Sequence, residues 1–441
     1  NSFCTLLVAA HCQDMSWRSD TYFQRVFGFE EDGYDKSRDE LFARAKFSLP
    51  PATSAASRIS TLPAVAERCE LTFDSTIGPV DAGTFYEPSS AELAEQLQRN
   101  LANEATSSKV RAYAEQFRAS HKGKTVVLKN TVGESRSMHG MSKYAGCVFQ
   151  AASQFNYLEF PSPGTTPEHG IGSYEYDRTQ GPACAIACAV GTAVRNYLIP
   201  PLKSAADPDR RTFSAQERGQ RKDCQRNGLA DVEAKFVALM RENPAELPTG
   251  ASGDLSRAPT TQNVVPRAAL PWKVRSGYID ALRDPLSEAN KFLRNPEVRD
   301  QLRPLLRVGV HEGTAVVDHA KVAHPVTQVY CSAVSVGYSK TPPSVWEPLA
   351  TLVLEGLYEA TFLAAMYNTV AAIEAGAKPP KLLLTKVGGG VFGNKSLWIK
   401  NAIQRAAASA ARFGVPLEVE LVHYGEVEVG YEDDVVARWS Q

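Results

Sequence analysis

Residues 381–403 read KLLLTKVGGGVFGNKSLWIKNAI. An apolar, strand-like run feeds a turn holding Gly388, Gly389, Gly390 and Gly393, and an amphipathic, helix-like run follows. A strand that passes through so short a turn into a helix belongs to a sheet whose face that helix covers. This unit commits the chain to an α/β fold. Other runs agree. KTVVLKN at 124–130, AGCVFQAAS at 145–153, LRVGVHEGTAVV, VTQVYCSAVSVGYS and LEVELVHYG have strand character. The small residues of ACAIACAVGTAVRNYL suit a helix packed tightly on a sheet. WEPLATLVLEGLYEATFLAAMYNTVAAIEAG reads as a long buried helix with Gly376 as its C-cap. Ligands of such sheets bind beyond the C-terminal strand ends, where the glycine loop falls.

Residues 1–120 read as a mainly helical N-terminal extension, 121–441 as the main domain, and about 201–300, rich in Pro, Arg, Asp and Ser, as a mostly helical insertion. Basic and acidic residues nearly balance, 48 against 49, with no basic block, so nucleic acid is not an expected partner. Spanning a bilayer takes roughly 20 apolar residues. The best stretches, Ala183–Val194 and Leu349–Ala365, are too short, and Arg195, Glu355 and Glu359 interrupt or adjoin them, so no membrane association is expected. The first residues, NSFCTLLVAAHCQD, have no basic n-region and are read as the start of a trimmed chain rather than a signal peptide. None of the eight cysteines forms C-x-x-C and no paired His spacing points to zinc. Buried reduced thiols in a cytoplasmic protein are the expectation.

The glycine loop almost matches the triphosphate signature G-x-x-x-x-G-K-[ST], but Asn394 separates the second glycine from Lys395 and Ser396. That shift moves the lysine and the hydroxyl around the first helical turn, and no strand offers the expected magnesium-holding Asp. The alternative is a metal-free diphosphate loop. Gly388, Gly389, Gly390, Val391, Phe392, Gly393 and Asn394 would present backbone N–H groups, with a helix N-terminus behind them. Phe392 could lie on a sugar or base. A second loop carries Glu159, Glu168, Glu175 and Asp177 and ends at Gln180-Gly181-Pro182, where the small-residue helix begins. Chemistry at a sugar carbon needs a positioned carboxylate. Against these readings stand plainer ones: a ligand-free turn, and solvated loop acids. His311, Trp346 and Trp398 read as core, and Arg195 as a structural ion-pair partner.

Taken together, VFQAASQFN (148–156), TQGPACAIACA and GGGVFGN resemble the motifs of a macrodomain, the ADP-ribose-binding α/β/α fold. FQAASQFNYLEF, TPEHG, YEYDRTQGPACAIA, VRNYL, GQRKDCQRNGLADVEAKF, VGVHEGTAV and LLLTKVGGGVFGNKSLWI resemble more closely the divergent MavL-like clade, associated with removal of ADP-ribose from arginine. The resemblance covers roughly 124–441. Gln150-Ala151-Ala152-Ser153 replaces the usual Asn-Ala-Ala-Asn, and the Gln-Glu-Glu signature of poly(ADP-ribose) glycohydrolases is absent.

The resemblance implies a three-layer α/β/α sandwich with a mixed sheet and an ADP-ribosylhydrolase that acts without metal or other cofactor. Its partner would be an ADP-ribosylated protein, ubiquitin among the candidates. It implies Asp177 as the catalytic carboxylate, with Glu168 and Glu175 as base or guanidinium clamp. Gln150, Ala152, Ser153, Asn156, Gly181, Pro182 and Glu134 would join the glycine loop in holding the ligand. A non-catalytic ADP-ribose reader and a P-loop-like NTPase are the alternatives.

Overall fold

The computed structural model describes residues 21–51, 62, 64–72, 78–242, 270–318 and 321–439. Among the described residues nine strands form one mixed sheet. In chain order they are β1 (Ala45–Ser48), β2 (Glu67–Thr72), β3 (Pro79–Tyr86), β4 (Val126–Val132), β5 (Val148–Ala152), β8 (Gly309–Asp318), β9 (Lys321–Cys331), β10 (Leu382–Leu384) and β11 (Leu417–His423). The spatial order is β1-β2-β3-β8-β9-β5-β10-β11-β4. From β9 to β4 every pairing is parallel, and from β1 to β9 every pairing is antiparallel. The parallel half carries its chain turns to one edge, as such sheets must. A separate hairpin, β6 (Trp272–Arg275) with β7 (Tyr278–Ala281), lies in the insertion. Ser276 and Gly277, both with positive φ, make its turn.

The helices used below are α1 (Tyr22–Phe27), α2 (Tyr34–Ala43), α3 (Ser90–Ala102), α4 (Glu104–Ser120), α5 (Ser135–Gly140), α6 (Gln180–Ala187), α7 (Ala189–Ala193), α8 (Ala230–Glu242), α9 (Arg283–Leu293), α10 (Pro296–Leu302), α11 (Pro343–Glu374) and α12 (Ser396–Ala411). Alternation along the short buried strands divides the core. Leu382 and Leu384 pack with α11 and α12, while Leu383 between them packs with Phe149 and Met138. The expected C-cap is present: Gly376 takes φ 67° and its N–H donates to Ile373 O at 3.1 Å.

Three expectations need correction. Residues 45–48, 67–72 and 79–86 are strands rather than helix; as β1, β2 and β3 they pair into the main sheet, with Phe85 against His311 of β8. Among the described residues of 1–120, 22–27, 34–43 and 90–120 keep the expected helical form, the last with a capping box in which Ser89 and Glu92 bond reciprocally. β1 and β2 are short, and the β2–β3 register shifts between Cys69 and Glu70, so these strands carry no clear alternation. The insertion combines α8 and α9 with the hairpin, and its stretch 243–269 lies outside the described residues. Finally, α11 is long and apolar enough to cross a membrane by length and composition. Within the fold 83% of that window is buried, as in a central core helix.

Among the described cysteines, Cys69, Cys147, Cys184, Cys188 and Cys331 are buried free thiols, whereas Cys224 is exposed. Cys4 and Cys12 lie outside the described residues.

Candidate functional site

Four chain turns meet beyond the C-terminal ends of β9, β5, β10 and β11. The glycine loop follows β10. Gly388 and Gly393 take φ of 79° and 69°, a conformation open to glycine at little cost. A Cβ on Gly388 would overlap Ala333, so this glycine also permits close contact with the turn after β9. Asn394 is buried and donates from Nδ2 to Val334 O at 2.8 Å and to Gly388 O at 3.3 Å. Gly337 N donates to Phe392 O at 2.9 Å. Gly390 is different: a Cβ there would meet nothing within 4 Å, so the loop tip is open. Lys395 lies over the Trp398 ring, and Ser396 Oγ donates to Glu428 Oε1 at 3.0 Å. The two residues that imitate a triphosphate signature are thus engaged within α12 and with the turn after β11.

The start of α6 is joined to the end of β5. Gln180 Oε1 accepts from Ala152 N at 2.8 Å, and Gln180 Nε2 donates to Gln150 O at 2.8 Å. Gly181 permits this approach, because a Cβ there would overlap the Ala152 carbonyl. Gly181 and Pro182 are followed by Ala183, Cys184 and Ala185, small residues that let the buried helix lie close to the sheet. Neither α6, preceded by Thr179, nor α12, preceded by Lys395, has a side-chain cap. Uncapped helix starts keep backbone donors and the positive end of the dipole for an anion.

The four loop acids have separate neighbours. Glu159 is fully buried and paired with buried Arg195 at 3.0 Å, so Arg195 is the structural partner expected. Burial pushes the Glu159 carboxyl up, and the guanidinium pulls it back. Arg195 also donates to Tyr157 O and stacks 3.5 Å above the Tyr330 ring. Glu175 pairs with Arg25 at 2.6 Å. Glu168 accepts from Lys222 N at 2.7 Å. Asp177 accepts from Thr179 N at 2.8 Å, directly ahead of α6. Burial raises the phenols of Tyr278 and Tyr338, and the nearby Asp177 carboxylate raises both further. Phe392 lies 5.4 Å from Tyr278 and 5.7 Å from Tyr338, ring centre to ring centre. Tyr278 OH and Tyr338 OH also donate to Phe160 O and Pro161 O at the start of the acidic loop, so both rings lie between that loop and the glycine loop.

Four residues expected at the ligand have partners within the protein. Gln150 is buried and bridges Thr361 Oγ1 at 3.0 Å and Thr385 N at 3.1 Å. Asn156 is buried and ties Gln225 to Leu158 N, closing a turn in which Tyr157 has φ 62°. Ser153 is buried; its N–H donates to Cys331 O and its Oγ to Gln154 O. Glu134 stands at the end of β4 and caps α5, accepting from Arg136 N, Ser137 N and Ser137 Oγ. Partial burial works to raise its carboxyl, but these donors hold it below the usual range.

Sequence reasoning missed Tyr278, Tyr338 and Tyr424. Tyr278 comes from the insertion and is set by its hydroxyl on Phe160 O at 2.6 Å. The Ser-Gly turn ahead of it was the available signal. Tyr424 follows β11 and is 82% exposed, an aromatic face on the same edge. Among the described residues no group of three or more His, Cys, Asp or Glu side chains is arranged to hold a metal ion. A groove of about 190 Å³ between α4 and Phe413 is lined by Val110, Arg111 and Arg118, none of which belongs to these loops. No family model, curated protein or solved structure matches the chain.

Proposed function

We propose that the chain is a macrodomain-like ADP-ribosylhydrolase that releases ADP-ribose from arginine side chains. The observation that carries this reading is the shared edge. Two uncapped helix starts and an open glycine tip provide backbone donors for a diphosphate. A carboxylate, Asp177, stands directly ahead of the α6 start, and an aromatic group that includes Phe392 adjoins the glycine loop. In this reading the nine-stranded mixed sheet is the centre of a three-layer α/β/α sandwich.

The α6 and α12 starts bind the diphosphate from two sides, with charge neutralised by N–H groups. Phe392 and Tyr338 pack on the distal ribose, and Tyr424 offers its face to the base. Asp177 balances positive charge on C1 as the C1–N bond opens, and takes a proton from the attacking water. The water oxygen bonds to C1, and the guanidino nitrogen leaves with the bonding pair and gains the proton that Asp177 took from the water, which returns Asp177 to its carboxylate. Glu175 and Glu168, paired with Arg25 and Lys222 N, support the loop rather than the reaction.

Two measurements test this. Thermal shift should rise with ADP-ribose and not with Mg-ATP; the reverse would favour an NTPase. Incubation with an arginine-modified protein, ubiquitin included, should release ADP-ribose, and Asp177→Ala should abolish release while leaving the fold intact. Binding without release by the wild-type chain would leave a reader. Near-wild-type release by Asp177→Ala would reject this acid as the catalytic group.

A further inference from the structure

We infer that Glu31, in the turn between α1 and α2, is a positioning residue that holds the acidic loop so that Asp177 faces the ribose; this rests on the hydrolase reading above. Its carboxylate occupies a seat made by the loop backbone. Ile171 N donates to Oε1 at 2.8 Å, Gly172 N donates to Oε2 at 2.7 Å, and Tyr197 OH donates to Oε1 at 2.6 Å. Paired backbone N–H groups of this kind form an anion-binding concavity.

The local sequence His169-Gly170-Ile171-Gly172 is built around that carboxylate. A Cβ on Gly170 would stand 2.5 Å from the Glu31 carboxyl carbon, and one on Gly172 would stand 2.7 Å from Oε2. Gly170 also takes φ 77°. A short rigid path then leads to the acid. Tyr174 N donates to Ile171 O and Asp177 N donates to Tyr174 O, each at 3.1 Å. The residue that Glu31 grips is thus two turn bonds from Asp177. Further contacts fasten the same N-terminal segment: Arg25 to Glu175, Asp35 to Arg221, and Tyr34 OH to Asn196 O at 3.0 Å. Glu31 acts through the backbone and touches neither ligand nor reacting atoms in this reading.

The test uses the full chain. In Glu31→Ala, amide exchange across 161–178 should quicken by about tenfold or more, since the loop loses its anchoring bonds. Release of ADP-ribose from arginine should show kcat lowered by about 10- to 100-fold, as expected for a misplaced catalytic group. The Kd for free ADP-ribose should stay within about twofold, because the glycine loop is untouched. Glu31→Gln, which keeps one acceptor, should recover part of kcat. Gly172→Ala displaces the carboxylate without altering it and serves if Glu31→Ala does not fold. The double variant should lose no more than Glu31→Ala alone, since the Cβ then fills vacated space. Unchanged exchange in folded Glu31→Ala, or quickened exchange with wild-type kcat, would overturn the inference. Absence of release by the wild-type chain would instead remove the hydrolase reading, and the exchange data would then show only whether Glu31 anchors the loop.

Discussion

Asn394 donates its side-chain amide to the carbonyl of Val334 at 2.8 Å, and this bond sets the glycine loop against the turn that follows β9. Asn394→Asp replaces the donor with an acceptor that faces the Val334 and Gly388 carbonyls. Stability should fall by about 1–3 kcal/mol, the usual result of leaving buried polar groups unpaired. The affinity for ADP-ribose should fall with it. Urea unfolding and calorimetry would read the two effects, and unchanged values would show that the bond does not shape the loop.

Gly390 provides the complementary case. Its missing side chain faces open space, whereas Gly388 and Gly389 face packed atoms. Gly390→Val should therefore leave the melting temperature nearly unchanged, as surface substitutions do, within about 0.5 kcal/mol. Affinity for ADP-ribose should drop, because the branched side chain would hold a diphosphate away from the backbone. Wild-type affinity in calorimetry would mean that the tip is not a ligand surface.

Arg195 and Glu159 are both fully buried. Removing only the cation in Arg195→Met leaves an unpaired carboxylate in the core, which should cost about 3–5 kcal/mol. Arg195→Met with Glu159→Gln should recover part of that loss. Equal destabilisation by the single and double variants would show that lost packing on Tyr330, not charge, dominates.

Glu420 provides a pH prediction. On β11 it meets Lys381 at 3.0 Å, Lys129 at 3.1 Å, Thr131 Oγ1 at 3.0 Å and Tyr144 OH at 3.0 Å. Burial works to raise its carboxyl, but the lysines and Thr131 together hold it at about 2, below the ordinary 4.5. A lowered folded value stabilises fully above the ordinary value and is lost as pH falls toward 2. Glu420→Gln should destabilise the chain at pH 7 by on the order of 2 kcal/mol after allowance for solvent screening. Its unfolding curves from pH 4.5 down to 2 should converge on those of the wild type, and a constant difference across that range would refute the assignment.

Local signals were legible where one short stretch carried them. The glycine loop, the small-residue helix at Gly181 and the Gly376 cap needed no distant partner to be recognised. Residues whose role depends on remote contacts were not legible. The resemblance implied Gln150 as a ligand contact, yet its amide is used on Thr361 and Thr385, more than two hundred residues away. The loop acids could not be ranked by spacing, because Arg195, Arg25 and the Lys222 amide, which engage three of them, lie on other elements. The strands β1 to β3 escaped notice for a related reason. Their place depends on pairing with β8, not on any strong pattern of their own.

The pairing of β4 with β11 sets an order of events during synthesis. β4 is complete at Val132, but its sheet partner begins at Leu417, on the order of 300 residues later. At roughly 5–20 residues per second, a ribosome needs about 15–60 s to cover that distance. Through that interval the apolar side of Val126 and Leu128 has no native strand beside it. The outer edge also waits, because Leu128 N finally donates to the carbonyl of Trp439. Both edges of β4 therefore stay open on the newborn chain until residues 417–439 have emerged, which makes this strand an aggregation-exposed edge through that interval.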